Sequence, residues 1–130
     1  MSDAARMDPH DPRKAIVCRL LVRERDIVGE AFGRSLCANP NWDMLLALYI
    51  ARCEQRFVML TALCASSYAS EATAYRRISD LERRGLIVRN DDLQDRRRVE
   101  IRLSDDGVAL VGGVLSRIDR LIASIGGDDG

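Results

Sequence analysis

Apolar residues recur at helical spacing along most of this chain and take up a strand-like pattern only in two short stretches, at 86–89 and 99–103. From Arg13 to about Arg34, Ile16, Leu20, Ile27 and Ala31 form one stripe with Val17, Leu21, Val28 and Phe32 beside it, which predicts an amphipathic helix. The segment Cys37-Ala-Asn-Pro-Asn41 breaks that pattern, and Asn41 is placed to cap the next helix. Residues 42–54, WDMLLALYIARCE, are apolar nearly all round and predict a core helix. After a Gln55-Arg56 joint comes a second apolar run, Phe57 to about Ala65, whose length alone does not separate helix from strand. The small, hydroxylated turn behind it, Ser66-Ser67-Tyr68-Ala69-Ser70, points to a short helix there. Ser70 then caps a helix from Glu71 to about Arg84, with Ala74, Ile78 and Leu81 on one face and Gly85 as its stop.

Beyond the stop, Leu86–Arg89 and Val99–Leu103 carry the branched and alternating residues of strands, and the polar stretch 90–98 joins them as a hairpin loop. Ser104 caps a last helix. Its apolar positions Val111, Leu115, Ile118, Ile122 and Ile125, with Val114 and Leu121, step by three and four residues like a coiled-coil seam. A short helix, a tight turn and a second helix bearing arginines make a helix-turn-helix, and the hairpin behind it makes a wing.

The predicted fold class is therefore mainly α with a small β-hairpin wing. A single winged-helix domain spans 13–125, with a flexible tail at 1–12 and another at 126–130. Dimerisation helices fall at about 13–35 and 105–125, the helix-turn-helix at about 57–85 and the wing at about 86–104. The stripes on residues 16–32 and 108–125 have no obvious partner in so small a domain, and pairing across a two-fold axis would bury both; packing on their own subunit is the alternative.

Composition narrows the function. The chain has 130 residues, enough for one domain, and 47% apolar with 31% charged residues is a globular balance. No run is long enough to span a membrane, and the opening MSDAARMDPHDPRK is too polar for a signal peptide, so a cytoplasmic protein is expected. Cys18, Cys37, Cys53 and Cys64 lie far apart with only His10 to help them, which argues against a zinc module, and no cofactor is expected. A lone histidine in a tail and the lack of a phosphate-binding glycine loop argue against an enzyme.

Net charge is zero, yet from Arg76 to Arg102 nine arginines face six acids, a local excess of +3. Nineteen of the twenty basic residues are arginine, which suits forked contacts to phosphate and guanine, although a GC-rich genome explains the same bias. The expected partner is duplex DNA. Ser70, Thr73, Arg76 and Arg77 are the candidate contacts in the major groove. In the wing, Arg96, Arg97 and Arg98 repel one another, Asp95 neutralises only part of that charge, and a polyanion or the narrow minor groove resolves it. A solvated hairpin is the plainer alternative.

These residues resemble the MarR-type winged-helix transcriptional regulators. The resemblance runs from about Trp42 to Ile118 and rests on Thr73-Ala-Tyr-Arg76 with Leu81-Glu-Arg-Arg-Gly85-Leu-Ile, on Asp95-Arg-Arg97, and on Ile101-Arg-Leu-Ser104 with Gly107. It implies that Asp95 orients the wing, that Arg97 reaches the minor groove and that Arg76 acts from the recognition helix. Asp80, Arg77 and Leu93 differ from the residues usual at their positions. The resemblance further implies a homodimer, repression as the commoner mode, and a small-molecule effector of unknown identity or a redox-sensing cysteine, for which Cys18 is the candidate. Trp42, Met44, Leu45, Leu48 and Tyr49 either contribute to an effector pocket or are plain core. A winged helix used as a protein-binding adaptor is the competing function.

Overall fold

The computed structural model describes residues 11–91, 94–95 and 98–127. Of the tails expected at 1–12 and 126–130, residues 1–10 and 128–130 lie outside them, as do Arg96 and Arg97 of the wing, whereas Pro12 and residues 126–127 belong to helices and the expected bounds are corrected there. The Asp11 side chain accepts from the Arg13 N–H and Pro12 occupies the first turn, so helix α1 (Pro12–Phe32) starts where its unpaired donors are satisfied. Pro40 plays the same part in α2 (Pro40–Cys53), whose cap is Asn39. The expectation that Asn41 caps this helix is thus corrected. Proline is tolerated in the first helical turn, so Pro40 opens the element instead of preceding it.

The run from Phe57 to Ala65 is two elements. Val58–Met59 form a short strand, β1, and the helix α3 covers only Leu60–Ser66. Helix α4 (Glu71–Arg83) comes next, then β2 (Ile87–Asp91), β3 (Val99–Leu103) and α5 (Asp105–Gly127). Among the described residues the result is five helices and one antiparallel sheet in the order β1-β3-β2, with Val58 and Arg89 both opposite Ile101.

Helix α2 is the centre of the molecule: Met44, Leu46, Leu48, Tyr49 and Ala51 are all buried. Val17 and Cys18 of α1, Leu63 of α3, Ile78 and Leu81 of α4, Ile101 and Leu103 of β3, and Val111 and Leu115 of α5 close around it. Met44, Leu48 and Tyr49 are accordingly core. Ion pairs tie the layers: Arg13 grips Asp119 of α5, at 2.6 Å for the shortest contact, and Arg52 donates to the Leu103 carbonyl at 2.9 Å and to Asp105 at 3.2 Å.

The junction of wing and last helix is close-packed. Ser104 donates through Oγ to the Gly85 carbonyl (2.6 Å) and through its N–H to the Leu86 carbonyl (2.9 Å), and its Oγ accepts from the Gly107 N–H (3.0 Å). Gly85, at φ 75°, makes the reversal after α4 in a conformation that side chains oppose. Gly107 is a glycine for another reason: a Cβ there would collide with the Leu86 carbonyl oxygen.

Candidate nucleic-acid interface

The turn between α3 and α4 is built by its own hydroxyls. Ser66 and Ser67 donate to the carbonyls of Leu63 and Cys64, each at 2.7 Å, and Ser67, fully buried, also accepts from the Ala69 N–H. Tyr68 sits at φ 56°, a left-handed conformation that a tyrosine seldom takes, with the Arg34 guanidinium 4.5 Å from its ring centre. Ser70 then caps α4, accepting from the Thr73 N–H at 3.2 Å and donating to the Thr73 hydroxyl at 2.9 Å. The structure thus brings Ser70 and Thr73 together at the entry to the helix, bonded to each other.

Along α4 the buried side is Ala74, Ile78 and Leu81. With about 100° of turn per residue, the row opposite them is Ala72, Arg76, Ser79 and Arg83, and all four are exposed. Arg76 lies on that row. Arg77 lies to one side, 3.9 Å from the Asp80 carboxylate, and Arg83 also pairs with Asp80. The acid that departs from the family pattern therefore holds two arginines of its own helix. Side-chain chemistry singles out Thr73 and Arg77 but passes over Ala72, Ser79 and Arg83; helical phase counted from the three buried residues would have found them.

In the wing, Asp95 is half-buried, Arg98 is exposed, and the Arg98 N–H donates to the Asp95 carbonyl at 2.9 Å. Arg96 and Arg97 lie outside the described residues. Arg89 and Arg102 stand on the two paired strands, Arg102 exposed and Arg89 3.8 Å from Glu82.

A second surface lies at the helices expected to dimerise. Ile16, Leu20 and Ile27 of α1 lie roughly a third of a turn away from the buried Val17 and Cys18, and Leu110, Leu121 and Ile125 form a stripe along α5. Their exposures run from 51% to 68%, so the subunit's own core does not cover them.

A cavity of about 350 Å³ opens between α1, α2, β1 and the turn of the helix-turn-helix. Val22, Leu46, Ile50 and Val58 supply apolar walls, and Arg25, Arg34, Arg56 and Tyr68 supply polar ones. None of Trp42, Met44, Leu45, Leu48 and Tyr49 lines it. Cys37 does. Cys18 is instead sealed in the core, its thiol 3.4 Å from the Leu46 carbonyl and pushed up to about 12 chiefly by burial, the reverse of what a sensing thiolate needs.

A short helix, a tight turn, a second helix with a basic outer face and a β-wing leading into a long helix define the class: this is the MarR-type winged helix-turn-helix fold. The particular proteins it is similar to are regulators of that type. A mutant of Staphylococcus aureus MepR from a multidrug-resistant clinical isolate is 26% identical, with a TM-score of 0.58 over 82% of this chain and 76% of that one. MepR in its DNA complex is 24% identical with a TM-score of 0.59, covering 88% of each chain. Bordetella bronchiseptica BpsR, whose DNA binding is regulated by 6-hydroxynicotinic acid, is 25% identical with a TM-score of 0.51 over 82% of this chain and 73% of that one. No protein-family model and no curated sequence matches the chain.

Proposed function

We propose that this chain is a DNA-binding transcriptional regulator that works in the cytoplasm as a homodimer and represses its targets. The observation that carries the reading is the outer face of α4, a row of small residues around an exposed arginine on the second helix of a helix-turn-helix. The same fold has been solved with DNA in MepR. Helix α4 enters the major groove with Ser70 at its leading end, Thr73, Arg76 and Arg77 contact bases and phosphates, and the wing, oriented by Asp95, puts Arg97 into the minor groove with Arg96 and Arg98 on phosphates. The exposed stripes of α1 and α5 cover each other across the two-fold axis. A small molecule in the cavity of about 350 Å³ acts as effector, as BpsR, regulated by 6-hydroxynicotinic acid, supports for this fold.

Titrating duplex genomic fragments at rising salt tests this. Affinity falls steeply with salt, and Arg97→Ala weakens binding to most sequences alike while lowering the salt slope by about one. Absence of binding at low salt overturns the reading in favour of a protein-binding adaptor.

A further inference from the structure

We propose that Arg76 is the base-reading residue of α4, that it selects a guanine, and that Ala72 sets a preference for thymine within about two base pairs of it. This rests on the DNA-binding reading above and gives that site its sequence preference.

The arginines of the helix-turn-helix are not equivalent. Arg77 and Arg83 both lean on Asp80, so part of their charge is answered within the helix. The Arg76 side chain is exposed and makes no hydrogen bond or ion pair among the described residues. It also lies opposite the buried side, on the row Ala72, Arg76, Ser79, Arg83, and is the arginine of that row that Asp80 does not hold. Its neighbours on that row, four residues before and three after, are an alanine and a serine. Neither projects far, so the helix can approach the groove floor until the guanidinium meets base edges instead of stopping at the backbone.

A guanidinium presents two parallel donors, and guanine alone offers two major-groove acceptors, N7 and O6, at matching separation. The Ala72 methyl stands about 6 Å from Arg76 along the helix, less than two base steps, and is too short for a hydrogen bond; what it can meet is another methyl, that of thymine. Arg77, to the side of the row and paired, is placed for a phosphate.

Selecting bound duplexes from a randomised pool with the full chain tests this, alongside Arg76→Ala, Arg76→Gln and Ala72→Gly. The wild type enriches sites with a fixed guanine and a thymine within about two base pairs. Arg76→Ala still binds DNA, loses the guanine preference and weakens on the preferred site roughly ten- to a hundredfold. Because glutamine pairs with adenine, Arg76→Gln moves the preference from guanine to adenine. Ala72→Gly flattens the thymine preference alone. If Arg76→Ala weakens all sequences alike and leaves the guanine in place, Arg76 is a phosphate contact and the inference falls while DNA binding stands. If the wild type binds no duplex, the DNA-binding reading itself falls.

Discussion

Arg25 holds both carboxylate oxygens of Asp43, at 2.7 and 3.2 Å, and the same guanidinium donates to the Cys37 carbonyl. The Asp43 side chain is only 9% exposed and also accepts from the Asn39 N–H at 3.3 Å. One arginine thereby fixes α1, the loop after it and the start of α2. Arg25→Met leaves the carboxylate nearly buried without its cation and lowers stability by about 2 kcal/mol, below the usual cost for a fully buried pair because Arg25 keeps some access to water. Adding Asp43→Leu recovers most of the loss. Urea unfolding midpoints measure both, and a single variant as stable as the wild type would show that the pair contributes nothing.

Gly107 and Gly113 sit on the same helix and predict opposite results. A methyl on Gly107 meets the backbone oxygen of Leu86, which has no freedom to move aside, so Gly107→Ala costs about 2–3 kcal/mol by displacing α5 from the wing. At Gly113 nothing lies within 4 Å of the added carbon, and Gly113→Ala stabilises by about 0.5 kcal/mol through helix propensity. Thermal unfolding of the two variants decides.

Glu54 takes Arg56 at 2.7 Å and Arg19 at 3.3 Å, and these hydrogen bonds, Arg56 first, hold its carboxyl below its ordinary range. Arg13 does the same to Asp119. A depressed folded value means that the stabilisation is present above the unfolded value and is lost as pH falls through the folded one. The thermal midpoint therefore drops below about pH 4, and the drop is shallower in Glu54→Gln with Asp119→Asn. Equal slopes in wild type and double variant would remove these pairs from the acid response.

Cys18 resists oxidation in the folded chain. Alkylation followed by mass spectrometry is expected to label it only as the protein unfolds, and treatment with peroxide to leave its thiol intact. Early labelling of Cys18 under native conditions would contradict the sealed position next to Leu46.

If the stripes on α1 and α5 cover one another, a charge on either separates the chains. Leu20→Asp and Leu121→Asp are each expected to shift sedimentation from the mass of two chains to that of one. Ser79→Asp, on the outer row of α4 and away from both stripes, leaves the mass unchanged. A dimer that survives both aspartates places the interface elsewhere.

The helices are legible in the sequence because their phase is. Ile16, Leu20 and Ile27 announce the outer apolar face of α1, and Ala74, Ile78 and Leu81 the inner face of α4, since side-chain direction on a helix repeats with the backbone. The β1 strand is not legible: two residues carry no period, and Val58 becomes a strand residue only through pairing with the distant Ile101. Asn39 is easily passed over as a cap because Pro40 looks like a breaker wherever it occurs, whereas in a first turn it has no bond to break. The arginine cluster is visible as charge, but charge does not show which arginines are already answered; the part played by Asp80 emerges only from the packing of α4. The cavity is hidden for a similar reason. Its walls come from separate segments and include Arg25 and Asp43, residues that a search for an apolar pocket passes over.

The hydrogen bonds of Ser104 to Gly85 and Leu86 have a mechanical consequence. They clamp the base of α5 to the end of α4, so α4, the wing strands and the 23-residue shaft behind them are joined as a single arm. That shaft is about 35 Å long, and a tilt of about 10° at its far end displaces the other by about 6 Å, nearly two base pairs. Half-sites on a duplex repeat at about 34–36 Å. In the proposed dimer, a small slip where two such shafts cross would therefore put both α4 helices out of register with their grooves, with no rearrangement inside either chain.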